Sequence, residues 1–245
     1  MYIKSTNSTN TFLLEQLAKG TWPRNERLVR AGYQTAGRGQ TGNGWESEPD
    51  KNLLCTVLLQ PRKNLFELNM RVSVAVQRLL GDAFTIKWPN DIYWQDRKVA
   101  GILIENVITG GEVKYSVAGI GLNVNQTAWL SGAPNPISLK QINGDGADID
   151  IEGLEERLIR MIDEVTATPQ EEVQAYYKAH LYRKDGFWPF VEREVNTTPT
   201  MNALPSEQGQ FLARIMDILP TGEMLLEDKQ GQQRKYHFKQ IRYVI

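Results

Sequence analysis

Three stretches of this sequence carry side chains suited to holding anions. Lys87-Trp88-Pro89-Asn90-Asp91 is followed at short range by Lys98-Val99-Ala100-Gly101-Ile102-Leu103-Ile104-Glu105. The polar turn Gln95-Asp96-Arg97 lies between them, so Lys87 and Lys98 flank an expected hairpin that would aim both ammonium groups at one sheet face. The alternative reading makes both lysines solvated surface charges and Asp91 a turn residue. Gly101 inside an apolar strand implies close approach of a ligand or of another backbone. Upstream, Gly37-Arg38-Gly39-Gln40-Thr41-Gly42 fits the dinucleotide fingerprint letter for letter. That fingerprint needs a helix after it, and Asn43-Gly44-Trp45-Glu46-Ser47-Glu48-Pro49 cannot open one. Two readings stay open: a loop whose amides and Arg38 meet an anion, or plain surface. The third stretch, Gly119-Ile120-Gly121-Leu122-Asn123-Val124-Asn125, places two glycines in an apolar strand. They mark either a β-bulge or an opening where a ligand lies on the strand.

The elements that must position these residues follow from patterning. Ser8-Thr9-Asn10 before Phe12, Leu13, Leu14 and Leu17 reads as a helix N-cap, with the helix ending near Gly20. Leu28 to Tyr33 and Asn52 to Leu59 read as strands, separated by a polar, glycine-rich loop over Thr35 to Lys51. Leu68, Val72, Val76, Leu79 and Leu80 recur at helical spacing. The strands Thr85–Trp88, Ile92–Trp94, Val99–Ile108 and Val113–Val124 come next, the last two joined at the hairpin signal Gly110-Gly111. Asn125 to Asp150 reads as a loop, and two helices follow around Leu154–Ile162 and Glu171–Leu181. Short strands over 211–219, 224–227 and 234–238 suggest a small barrel, with a domain boundary near residue 185.

The chain has 245 residues and a formal net charge of −1, so no basic field is present for bulk binding to nucleic acid or anionic membrane. Cys55 is the only cysteine, which excludes an intramolecular disulfide. With only His180 and His237 beside it, a Cys/His zinc site is not expected, and no metal ligands are assigned. There is no secretory signal and no run of about 18 apolar residues, so a cytoplasmic protein that meets no membrane is expected.

Taken in order, Ser8-Thr9-Asn10, Tyr33 to Gly39, Trp45, Lys87 to Asp91, Lys98 to Glu105 and Gly119 to Asn123 resemble the biotin protein ligases across residues 1–125. The C-terminal strands resemble that family's SH3-like barrel. The resemblance implies an α+β fold: a mixed-sheet catalytic domain of the class II synthetase type over residues 1–185, then a barrel over 186–245. It implies ATP and biotin as substrates, with Mg²⁺ travelling on the ATP phosphates. Biotin's carboxylate attacks the α-phosphate to give biotinyl-5′-AMP, and a lysine of a biotin carboxyl carrier protein then attacks the anhydride. By the same resemblance Ser8, Thr9, Asn10 and Gln34 bind the biotin head group. Arg38, Gly39 and Gln40 line its carboxylate and the phosphate. Lys98, with Arg38, neutralises the reacting groups. Gly101, Gly119 and Gly121 leave room for biotin, and Trp45, Lys87, Asp91 and Asn123 approach the nucleotide.

Two departures from the family stand out. The first ligase motif begins at residue 8, so a ligase-only form that does not bind DNA is expected. After Gly39 the loop carries Gln40, Thr41, Asn43 and Gly44 where many relatives carry Arg or Lys, leaving Arg38 as the only cation before Lys51 at its end. The loop is expected to be mobile without ligand, since it offers little apolar surface to offset ordering entropy. A lipoate–protein ligase and a non-enzymatic biotin sensor are the rival readings. The polar Ser8-Thr9-Asn10 and Gln34 set favours biotin, and retention of both Arg38 and Lys98 favours catalysis. Monomer and homodimer are both compatible with the sequence.

Overall fold

Ser8 takes the expected N-cap position of the first helix, although its side chain makes no capping hydrogen bond. A computed structural model describes residues 1–40, 43–130, 132, 134–144, 146–193 and 209–245. Ser8 takes extended angles before helix α1 (Thr9–Lys19), and Gly20 ends it at φ 68°, a left-handed turn that glycine adopts without strain. Leu13 of α1 is fully buried against Val29 and Val117, with Phe12, Leu14 and Leu17 packed around it.

The large sheet has seven strands. They are β1 (Tyr2–Thr6), β2 (Leu28–Gln34), β3 (Leu53–Leu59), β4 (Phe84–Lys87), β5 (Asp91–Trp94), β6 (Arg97–Thr109) and β7 (Glu112–Leu122), in the order β1-β2-β3-β7-β6-β5-β4. Only β1–β2 is parallel, so the sheet is mixed as expected. Gly110 and Gly111 close the β6–β7 hairpin with positive φ at both positions.

Strand alternation divides the side chains between two faces. Cys55, Val57, Ala100, Ile102, Ala118, Ile120 and Leu122 face one way, into a core shared with α2 (Leu65–Leu80), α4 (Ile151–Ala167) and α5 (Gln170–Ala179). On the opposite face α1 covers one end. Gly101, Leu103 and Glu105 of β6 lie there beside Gly119 and Gly121 of β7, because Gly101 pairs with Gly121 and Leu103 with Gly119. Two glycines meeting in register remove side chains from a strip of sheet.

The second sheet comprises β8 (Trp188–Glu192), β9 (Gln210–Ile218), β10 (Met224–Asp228), β11 (Gln233–Tyr236) and β12 (Ile241–Tyr243). Its order is β11-β10-β9-β8-β12, all antiparallel, which is the expected small C-terminal unit. Phe190, Met224 and Tyr243 of this sheet share one apolar cluster with Val74, Ile86 and Ile92 of the larger unit. Trp88 fastens the two: its indole N–H donates to Gly222 O at 3.0 Å, and its ring meets Phe238 edge-on at 5.9 Å.

One expectation is corrected. The stretch 125–150, expected as loop, contains the short helix α3 (Leu139–Asn143), held by a capping box between Ser138 and Gln141. Its single buried apolar residue, Leu139, is too little periodicity to show in sequence. Within the glycine loop the described residues bond one another through the backbone. Gly39 N–H donates to Asn43 O at 2.8 Å and Trp45 N–H to Gly37 O at 2.9 Å, which makes a short hairpin; Thr41 and Gly42 lie outside the described residues. Among the described residues no helix is long and apolar enough to cross a membrane.

Candidate functional site

The residues expected to hold a polar head group converge where α1 meets the bare strip. The first turn of α1 buries Thr9 and Asn10, and β2 ends at Gln34 beside them. Gln34 Oε1 accepts from Thr9 N–H at 2.8 Å and from its hydroxyl at 3.1 Å. Thr56 of β3 donates its hydroxyl to Asn10 Oδ1 at 2.6 Å, and its Oγ1 lies 2.8 Å from that of Thr9. Asn10 Nδ2 donates to Glu105 Oε2 at 2.7 Å and to Leu103 O at 3.2 Å. Ser8 is buried at the helix start, its N–H donating to Asn7 Oδ1 at 2.6 Å. This is a pre-wired set of hydroxyl and amide groups, the kind of surface that recognises a neutral polar ring.

The glycines explain how these groups reach the sheet. A Cβ on Gly119 would stand 2.3 Å from Asn10 Oδ1. On Gly121 it would stand 2.4 Å from Trp45 Cε2, and on Gly101 2.9 Å from Trp45 Cζ3 and 3.1 Å from Lys98 Nζ. No side chain fits at any of the three, because Asn10, Trp45 and Lys98 lie flat on the strip. Of the two readings the sequence left open, the structure shows close approach: a bare floor for other groups, not a bulge.

Cations stand at both ends of this floor. Lys98 Nζ pairs with Asp91 Oδ1 at 2.7 Å and lies 5.6 Å from the Trp45 ring centroid. Arg38 pairs with Glu105 at 3.0 Å and donates to Thr11 Oγ1 at 3.2 Å. Gly101, beside Lys98, and Glu105, beside Arg38, are four residues apart on β6, so the floor between the cations spans about 13 Å. Lys98 is 29% exposed and Arg38 46%, so each ion pair is open enough to exchange its carboxylate for a ligand anion.

The remaining candidates surround the Lys98 end. Asn123 is buried, its Nδ2 donating to Ile137 O at 3.1 Å while its Oδ1 has no partner. Gln40 donates to Asn90 Oδ1 at 3.1 Å and leaves its own Oε1 buried and unpaired. Trp45 Nε1 is likewise buried without a partner. Gly39 serves the hairpin through its backbone. Lys87 stands on the same sheet face, in line with Asp91 and Gly101, and its ammonium lies over the rings of Tyr93 and Tyr243, at 4.8 and 5.4 Å. Burial lowers its pKa, and Asp91 opposes that shift.

Three residues in the site had been given no role from sequence. Glu105 had a usable signal, a carboxylate at even spacing from Gly101 on one strand face. Thr56 and Thr11 had none, since both are polar residues whose partners come from distant segments. The residues around the phosphate end do not build a metal cage. Asp91 and Glu105 are each taken by a cation, and among the described residues no group of three His, Cys, Asp or Glu is gathered. A Mg²⁺ carried on ATP's own phosphates is compatible with this donor set.

Residues 2–123 match the model of the biotin/lipoate A/B protein ligase family. The chain is 30% identical over 190 residues to the bifunctional ligase/repressor BirA of Escherichia coli, covering 74% of this chain and 57% of that protein. It is 32% identical over 157 residues to the biotin–[acetyl-CoA-carboxylase] ligase of Paracoccus denitrificans, covering 59% of this chain and 62% of that protein. The chain thus spans somewhat over half the length of these relatives. In fold it matches the biotin protein ligase from Aquifex aeolicus in complex with biotin and ATP, with a TM-score of 0.75 at 22% identity over 100% of this chain and 98% of that one. With the ordered motifs now found on one face of one sheet, the chain belongs to the biotin/lipoate A/B protein ligase family.

Proposed function

We propose that this protein is an ATP-dependent ligase that activates biotin as biotinyl-5′-AMP and transfers it to a lysine of a biotin carboxyl carrier protein or domain. The observation that carries this reading is the bare glycine floor with the Thr9–Asn10–Gln34 network on it and a cation at each end. Neutral hydrogen-bonding groups suit the ureido ring, and Lys98 and Arg38 suit a carboxylate meeting a phosphate.

In the first half-reaction a biotin carboxylate oxygen bonds to the α-phosphorus and the bond to the β-phosphate bridge breaks, so pyrophosphate leaves with the electron pair. Two anions must approach each other, and Lys98 leaves Asp91 to neutralise the charge that develops between them. Arg38 leaves Glu105 in the same way. Mg²⁺ arriving with ATP shields the departing phosphates. In the second half-reaction the carrier lysine's neutral amine attacks the acyl carbon, the bond to AMP oxygen breaks, and the amine's proton is lost to solvent. The test is pyrophosphate release with biotin, lipoate and octanoate in turn. Release with biotin alone is expected; release with lipoate or octanoate would assign the chain to the other branch of the family, and binding without release would make it a sensor.

A further inference from the structure

Lys87 occupies a place that ATP contact does not explain. Its ammonium donates to Tyr93 Oη at 3.2 Å and is roofed by the ring of Tyr243, which belongs to β12 of the C-terminal sheet. Tyr243 is itself buried, packed at 5.7 Å on Tyr182 and at 4.9 Å on Phe190. Lys87 lies directly opposite Asp91 in the β4–β5 ladder, so the two side chains leave the same face side by side. Tyr93, two residues along on that face, lies opposite Lys98. Asp91 therefore sits between two lysines, pairing with Lys98 at 2.7 Å and drawing on Lys87 electrostatically.

We infer that Lys87 is a positioning residue through which the C-terminal sheet sets how firmly Asp91 holds Lys98. Resting on the ligase reading above, this gives the small sheet a part in adenylation. Lys98 can turn to the reacting anions only as far as Asp91 releases it. A second cation beside Asp91 shares the carboxylate and keeps it compensated after Lys98 has turned away. The Tyr243 ring face attracts the ammonium and so helps to hold it beside Asp91. Lys98, Arg183 and Arg193 also act on Lys87 as like charges, which lower its pKa where Asp91 raises it.

The experiment is a double-mutant cycle of Lys87→Met with Asp91→Asn, read in two ways. In pyrophosphate release, Lys87→Met should lower kcat on the order of tenfold, the size of a one-unit electrostatic shift. KM for ATP should stay within about twofold, since a lost transition-state contribution leaves ground-state binding in place. Lys87→Arg should recover most of the rate, and Lys87→Met should cost nothing further in the Asp91→Asn background. A raised KM for ATP at unchanged kcat would make Lys87 a substrate contact and overturn the inference, as would additive losses in the cycle. The same cycle in thermal unfolding, extended to Tyr243→Leu, does not depend on activity. Non-additive Tm shifts among Lys87, Asp91 and Tyr243 are expected, and additive shifts would overturn the coupling. If the wild type releases no pyrophosphate with biotin, the ligase reading fails, and the unfolding cycle still decides whether the three residues act together.

Discussion

The two ends of the glycine floor are built on opposite principles. At the α1 end the polar atoms bond one another: Thr9 with Gln34, Thr56 with Asn10, and Asn10 with Glu105. At the Lys98 end three buried polar atoms have no partner, namely Trp45 Nε1, Gln40 Oε1 and Asn123 Oδ1. Buried polar atoms without partners cost stability, so natural proteins hold few of them. Each end carries a cation paired with a carboxylate, Arg38 with Glu105 and Lys98 with Asp91, so the contrast lies in the neutral groups, bonded to one another at the α1 end and left unpaired at the other. Recognition of a neutral ring rewards rigidity, whereas neutralising charge that moves rewards exchangeable pairs.

The largest expected effect breaks the Lys98 end. Lys98→Ala should keep the fold, since Lys98 is partly exposed, and lower adenylation by about 10²–10³, or ~2.7–4 kcal/mol. Pyrophosphate release measures it, and a folded variant with a near-normal rate would remove Lys98 from the chemistry. The α1 end should respond differently. Asn10→Ala strips partners from Thr56 and Glu105 and should cost about 1–3 kcal/mol of stability, together with a raised KM for biotin and little change in kcat. Chemical denaturation and steady-state kinetics check the two parts. A fall in kcat alone would mean that this end, too, is used mainly in the transition state.

Alkaline pH should separate the ends without mutation. Burial raises the phenol pKa of Tyr93, Tyr182 and Tyr243, all near Lys87. A group raised on folding contributes stability that is full below its unfolded pKa, about 10, and lost as pH rises beyond it. Tyrosinate absorbance should therefore lag behind free tyrosine and then rise together with unfolding of the Lys87 region, while NMR signals from Thr9, Asn10 and Gln34 persist longer. Simultaneous loss of both sets would show a single cooperative unit. The smallest effect is expected at Gln40, whose neutral amide grips phosphate less firmly than a guanidinium fork. Gln40→Arg should slow adenylate dissociation a few-fold in stopped-flow fluorescence, and an unchanged off-rate would show that loop charge does not set retention.

Local signals wrote much of this molecule into its sequence. Short polar residues before an apolar run specify the start of α1, a left-handed Gly20 its end, and Gly110-Gly111 the β6–β7 turn, because each acts on residues within one turn of itself. Arg38 and Lys98 announced themselves as cations beside glycines in an ordered set of motifs. Tertiary structure alone decided their partners. Asn10 meets Glu105 across 95 residues and Arg38 meets it across 67, pairings that exist only once the β6–β7 register is fixed. The same register aligns Gly101 with Gly121, and so decides that Trp45 lies on the floor. Lys87 carries the lesson furthest. Its motif suggested a nucleotide contact, and docking of the C-terminal sheet adds the ring of Tyr243 over its ammonium. No pattern in a stretch of chain encodes which ring will cover a charge when the ring arrives from 156 residues away, since that depends on how two folded sheets pack.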